Sequence, residues 1–234
     1  MKIGIIGANG FLGKVLQLKL AEYFNEVVGI TKVNYTSYLG KYDIIINANG
    51  NSKKFWANNN PVKDFDSSVV SVYKSLFDFP CSKYIFISSA DVYTHPVVRP
   101  VETCQIDDTT LSPYGFNKLL AENIVRKYAQ SFLILRSSAI VGKDLVKGVV
   151  KDILSGNELF VTPDSCIQCI SNEAVADIIK ELLFIQVKDT TINIGGIGTT
   201  SVNYMTELSK TVPLFSFDSN QIFPPDFLTI ARAI

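Results

Sequence analysis

Two kinds of hydrophobic pattern alternate along most of this chain, and they predict different elements. KIGIIG (2–7) is a short, nearly continuous apolar run; FLGKVLQLKLAEYF (11–24) repeats its apolar residues at helical spacing. EVVGI (26–30), YDIIINA (42–48), KYIFISS (83–89), SFLILRSS (131–138) and TTINIGG (190–196) resemble the first run and predict strands. Helical patterns fall between them at 61–79, 113–129, 145–155 and 172–185. The strand runs lack the strict alternation of a half-exposed sheet, and successive Ile and Val residues suit strands buried on both faces. The alternation predicts an α/β fold, a doubly wound parallel sheet covered by helices. Residues 1–142, completed by 171–196, are expected to form its core. Segments 143–170 and 197–234 fit the repeat less well and are expected to form a small lobe.

Composition narrows the class. With 234 residues, 47% of them apolar, the chain can bury a sizeable core. Lys+Arg and Asp+Glu both number 22, so no basic balance argues for a nucleic-acid partner. No apolar stretch reaches the roughly 18 residues that cross a bilayer, and a first strand at Lys2 leaves no room for a signal peptide. The expectation is a cytoplasmic protein without a membrane partner. Cys81, Cys104, Cys166 and Cys169 are too scattered for a disulfide scaffold. Cys166 and Cys169 have CxxC spacing, but with no second pair and His95 as the lone histidine, no metal site is expected.

The turn after the first strand, GIIGANGFLG, carries Gly7, Gly10 and Gly13. Glycines there permit a tight turn and close approach of backbone to a pyrophosphate, while the helix start offers unpaired N–H groups and partial positive charge. A dinucleotide site is the reading. An acid about 20 positions on usually holds the ribose of NAD, yet here the second strand ends in Thr31 and Lys32. A hydroxyl and an ammonium attract a 2′-phosphate where a carboxylate would repel it, so NADP is favoured, with NAD as the alternative.

Further along, LSPYGFNK (111–118) sets Tyr114 and Lys118 one helical turn apart. A free phenol, with a pKa near 10, trades protons slowly at neutral pH. An adjacent ammonium would bring it down and let Tyr114 protonate a carbonyl oxygen or deprotonate an alcohol. ISSADVY, upstream, supplies hydroxyls at a strand end to hold that oxygen.

Together these segments resemble the extended short-chain dehydrogenase/reductases, the group of nucleotide-sugar epimerases, dehydratases and ketoreductases. GANGFLG, YDIIINANG, SSADVY, ETCQIDDTTLSPYGFNK, LRSSAIVG, CISNEAVADII and INIGG match the family's ordered segments over roughly residues 1–210. The resemblance implies a Rossmann fold with a small, truncated C-terminal lobe. It implies cofactor contacts from Gly7, Asn9, Gly10, Phe11, Leu12 and Gly13 of the loop, from Ala48 and Asn49 after the third strand, and from Ser137. Ser89, rather than Ser88, would orient the substrate oxygen; Tyr114 would be the acid/base; Lys118 would tune it and bind the nicotinamide ribose.

Departures refine the expectation. Ala90 stands where the dehydratase branch has the first of two acids, with Asp91 as the second, which disfavours dehydration. Ser68 and Ala139 replace two asparagines of the family. Trp56, with Asn58 to Asn60, is read as a polar loop anchored by one tryptophan, and His95 as surface. The tail FPPDFLTIARAI is either a homodimer contact or a closing helix. The leading expectation is an NADP(H)-dependent reductase of a keto group on a nucleotide-activated sugar, a 4-keto-6-deoxy sugar. The alternatives are an NAD-dependent epimerase and a catalytically silent nucleotide-binding protein.

Overall fold

The computed structural model describes residues 1–93, 100–185 and 187–211. His95 and the tail sequence lie outside them. The chain begins with β1 (Lys2–Ile6), α1 (Phe11–Ala21), β2 (Glu26–Ile30), β3 (Tyr42–Asn47) and α2 (Lys54–Asn59). Then come α3 (Pro61–Phe65), a π-helical turn over Asp66–Val70, α4 (Ser71–Asp78), β4 (Cys81–Ser89) and α5 (Pro113–Tyr128). It continues through β5 (Phe132–Ser137), β6 (Ala139–Val141), α6 (Val149–Ser155), β7 (Cys166–Ile167) and β8 (Cys169–Ser171). It closes with α7 (Asn172–Phe184), β9 (Thr190–Ile194), β10 (Thr200–Ser201) and α8 (Val202–Thr211).

Six strands form one parallel sheet in the order β2-β1-β3-β4-β5-β9. Each face carries its own apolar layer, which explains the unbroken Ile and Val runs. Ile44 and Ile46 pack with α1 and α7 residues such as Leu16, Leu20 and Ile179, whereas Ile45 packs on the opposite face with Val72, Ala121 and Val125. Each such side chain taken fully from water contributes about 1.5–3 kcal/mol. Local signals set the helix starts. Ser112 Oγ accepts the Gly115 N–H at 3.2 Å ahead of Pro113, and Ser171 Oγ accepts the Ala174 N–H at 3.0 Å.

A smaller apolar cluster of Val141, Val150, Ile153, Cys169, Val202 and Met205 lies outside the main sheet. Short pairings frame it, β6 with β8 and β7 with β10. The helix expected over 145–155 is confined to Val149–Ser155, because Gly148 at φ +94° holds a conformation through which a helix does not run. Residues 54–59, expected as a loop, form a helical turn and a half; its buried anchor is Ala57, while Trp56 is only half-buried. Among the described residues no helix is long and apolar enough to cross a membrane, and no three His, Cys, Asp or Glu side chains cluster to hold a metal. All four cysteines are free thiols.

One buried polar network crosses the sheet-to-helix interface. Glu122 of α5, fully buried, receives Ser88 Oγ of β4 at 2.6 Å and the Arg136 guanidinium of β5 at 2.8 and 3.0 Å. Arg126 adds a contact at 2.8 Å and reaches Thr191 of β9 at 3.0 Å. Arg136 also donates to Tyr93 Oη at 2.9 Å, and Tyr93 donates to Asn193 at 2.7 Å. Removing the carboxylate strands a buried guanidinium. Glu122→Ala is therefore expected to cost about 3–5 kcal/mol, measured by urea denaturation; a loss below about 1 kcal/mol, usual for an exposed pair, would contradict the network's weight.

Candidate active site

Strand order reverses between β1 and β3, so the crevice beyond their carboxyl ends is where an open sheet of this kind takes a ligand. The backbone there is close-fitted. Gly7 sits at φ +85°, and a Cβ on it would lie 2.9 Å from Asn49 N and 3.0 Å from Ala48 O. A Cβ on Gly13 would lie 2.2 Å from Gly7 O, so α1 packs directly onto the turn. Gly10, extended at φ −74°, starts α1 with no side-chain cap, and the first turn carries no acid. Its amides have no side chain competing for them, and the donor set fits a pyrophosphate. Asn9 is exposed and Phe11 half-buried. Leu12 points into the apolar core, which leaves only its backbone N–H for a ligand.

At the end of β2 the expected pair divides. Thr31 donates from both N and Oγ1 to Asn34 Oδ1, at 2.6 and 3.0 Å, and Asn34 in turn donates to Gly29 O at 3.0 Å. The Thr31 hydroxyl is thus engaged within its own turn. Lys32 is exposed and pairs with no acid among the described residues. Asn34 passed unremarked in the sequence, although an amide three residues past a threonine is a common turn lock.

The three residues expected to carry chemistry come together. Ser89 closes β4 in register with Ser137 of β5, and both lie at carboxyl strand ends. Ser89 Oγ donates to Asp91 Oδ2 at 2.9 Å and accepts the Asp91 N–H at 3.2 Å. Tyr114 is buried beside it, near enough for the Ser89 hydroxyl to act on its phenol. Lys118, also buried, donates from Nζ to Ile87 O of β4 at 3.2 Å and lies over the Phe86 ring at 5.1 Å. A Cβ on Gly50, which sits at φ +127°, would be 3.5 Å from the same nitrogen. Ser137 Oγ is buried and bonds to Ser138 O at 3.0 Å. Ser88 faces away from this group, toward Glu122.

The electrostatics depart from the expectation. Burial raises the Tyr114 phenol above its ordinary value, the Asp91 charge adds to that, and the Ser89 hydrogen bond opposes it. Lys118 is not among the groups that move Tyr114, so the expected acidification by the ammonium is not what this arrangement produces. Lys118 itself is brought down to about 8 by burial, against the upward pull of Asp64, Glu122 and Asp91.

Two of the partners around this group, Lys54 and Asp64, carried no sequence signal. Asp91 pairs with Lys54 of α2, which sets a third charged group beside Ser89. Asp64 of α3, fully buried, receives Asn117 Nδ2 at 2.7 Å, Asn51 Nδ2 at 2.8 Å and Ser68 Oγ at 3.2 Å. Glu122 had a usable signal, lying one turn beyond Lys118 on the same face. Asp64 had none.

A model of the NAD dependent epimerase/dehydratase family matches residues 3–162. The chain belongs to that family, whose members are enzymes that use NAD(P) on the fold seen here. A bifunctional UDP-glucose 4-epimerase and UDP-xylose 4-epimerase 3 of Arabidopsis thaliana is 31% identical over 90 residues, 37% of this chain. That match spans 25% of the plant protein's length. Among solved structures, a dTDP-4-dehydrorhamnose reductase of Clostridium acetobutylicum superposes with a TM-score of 0.73 at 20% identity, over 89% of this chain and 81% of that one. RMD of Pseudomonas aeruginosa, complexed with NADPH, gives 0.72 at 17%, over 89% and 83%. At these identities the superpositions establish the fold alone.

Gly115 makes the geometry testable. A Cβ there would lie 2.3 Å from Asp91 O, so α5 reaches the turn after β4 only because this position lacks a side chain. Gly115→Ala should destabilise the protein by about 1–3 kcal/mol through overpacking and displace Tyr114 from Ser89. A thermal melt, with nucleotide binding followed by fluorescence, reads both effects; an unchanged melt would show that the helix approaches less closely.

Proposed function

We propose that this protein is an NADP(H)-dependent reductase of a keto group on a nucleotide-activated sugar, a 4-keto-6-deoxy sugar in the form we favour. The carrying observation is the cluster of Ser89, Tyr114 and Lys118 at the carboxyl strand ends, beside the glycine turn. The bound cofactor would supply the hydride. Ser89 would hold the sugar carbonyl oxygen by its hydroxyl. Tyr114 would hand its phenolic proton to that oxygen as charge develops on it. Lys118 would hold the ribose hydroxyls and offset the phenolate left behind.

Burial keeps the Tyr114 proton in place, which suits the donor step of a reduction. The plant relative carries an epimerase name; the reductive reading is favoured by the cofactor that Lys32 suits. Lys32, exposed and unpaired among the described residues, supports NADP over NAD.

Purified protein given NADPH and a 4-keto-6-deoxy sugar nucleotide should consume cofactor in proportion to substrate. Interconversion of sugar isomers without added cofactor would instead favour the epimerase. Tyr114→Phe should lower turnover by about 10²–10⁴-fold with cofactor affinity largely kept; unchanged turnover removes Tyr114 from the chemistry. Lys32→Asp should weaken NADPH about 10- to 100-fold relative to NADH, the worth of one charge-assisted contact. Equal weakening of the two would contradict a 2′-phosphate at Lys32.

A further inference from the structure

We propose that Asp64 is a positioning residue for the active site, a buried carboxylate that supplies the counter-charge keeping Lys118 an ammonium. The assignment comes from counting what each neighbouring charge is already committed to. Three acids act on Lys118 from three elements: Asp64 on α3, Glu122 one turn along α5, and Asp91 in the turn after β4. Lys147, just ahead of α6, acts in the opposite sense. Glu122 is taken up by two guanidiniums, those of Arg136 and Arg126, at 2.8 Å each. Asp91 is paired with Lys54. Asp64 alone of the three has no cation in contact among the described residues.

What Asp64 has instead is neutral donors. Asn117, Asn51 and Ser68 direct N–H or O–H groups at its two oxygens from α5, the Gly50 turn and the π-helical turn. A carboxylate with no exposed surface is costly to bury unless its charge is met. Three neutral donors satisfy its lone pairs without cancelling that charge. Lys118, next along α5 from Asn117 and close to the Gly50 turn, is the buried cation without an acid in contact among the described residues. The two buried charges stabilise one another across a layer of amides. Those amides hold the Gly50 turn and the start of α5 in fixed relation, since Asn51 and Asn117 donate to the two oxygens of one carboxylate.

The sign of the effect is determined. Burial brings the Lys118 ammonium down to about 8, and Asp64 heads the groups that pull it back up. Neutralising Asp64 leaves burial less opposed, so the ammonium is lost at a lower pH. The role is one of positioning and charge: Asp64 acts through Lys118 and its amides. This inference takes the site from the proposed function, but its test does not depend on turnover.

The experiment follows Lys118 directly by NMR of protein labelled with carbon-13 at lysine Cε, the signal assigned by its absence in Lys118→Arg. In Asp64→Asn its midpoint should fall by about one pH unit or more, and Asp64→Glu should restore the unsubstituted titration. Should Asp64→Asn not fold, Asp64→Ser, smaller and still hydrogen-bonding, carries the same expectation. An unchanged midpoint in the neutral variant overturns the proposal, as does an equal fall in Asp64→Glu, which would mark a packing effect. In the same samples, NADPH consumption should lose its alkaline limb at correspondingly lower pH. A shifted midpoint in protein that consumes no NADPH would sustain the counter-charge and count against the reductase instead.

Discussion

The site depends on where one helix sits, and α5 is held by a buried charge. Glu122 accepts from β4 through Ser88 and from β5 through Arg136, so its carboxylate fixes both the distance and the rotation of α5 over two adjacent strands. Apolar packing by Ala121 and Val125 would tolerate a slide along the helix axis; a bidentate guanidinium contact has one good geometry. Tyr114 and Lys118 lie two turns and one turn before Glu122 on the same face. Fixing Glu122 therefore aims both of them at the end of β4. Gly115 sets the closest approach, and Glu122 sets the register.

That interdependence explains how much of the molecule could be read from its sequence. The parallel core was legible because its strands are buried on both faces, which forces continuous apolar runs such as Ile44 to Ile46. The glycine turn was legible because close backbone approach leaves a permanent absence of side chains at Gly7 and Gly13. The small lobe was read only as a region of poor fit. Its strands are two or three residues long, too short for periodicity to register, and their pairing partners are far apart in sequence. The turn over 54–59 escaped because Asn-rich sequence has little helical propensity of its own, and one buried alanine holds it.

Within the site, spacing was legible and electrostatics were not. A tyrosine and a lysine one turn apart can be read off a helix, but the sign of their effect on each other depends on burial. The desolvation of Tyr114 and the neighbouring Asp91 together outweigh the opposing effect of the Ser89 hydroxyl, so the phenol moves up, not down. Nor could the spacing of Thr31 and Lys32 reveal that Asn34 occupies the threonine hydroxyl. Of two residues expected to meet one phosphate, only Lys32 keeps its side chain unengaged among the described residues.

These constraints leave the site with a division of labour between backbone and side chains. Lys118 has three N–H donors and gives one to Ile87 O. With its charge countered by Asp64, it suits ribose hydroxyls better than a phosphate. The anionic part of a dinucleotide then falls to the amides at the start of α1, which cost no side-chain ordering and carry no counter-ion. Amides on a rigid turn fix its direction, and through it the reach of the nicotinamide toward Tyr114. The precision of the chemistry would thus come from backbone pinned by glycines, and the tuning from acids that the sequence does not announce.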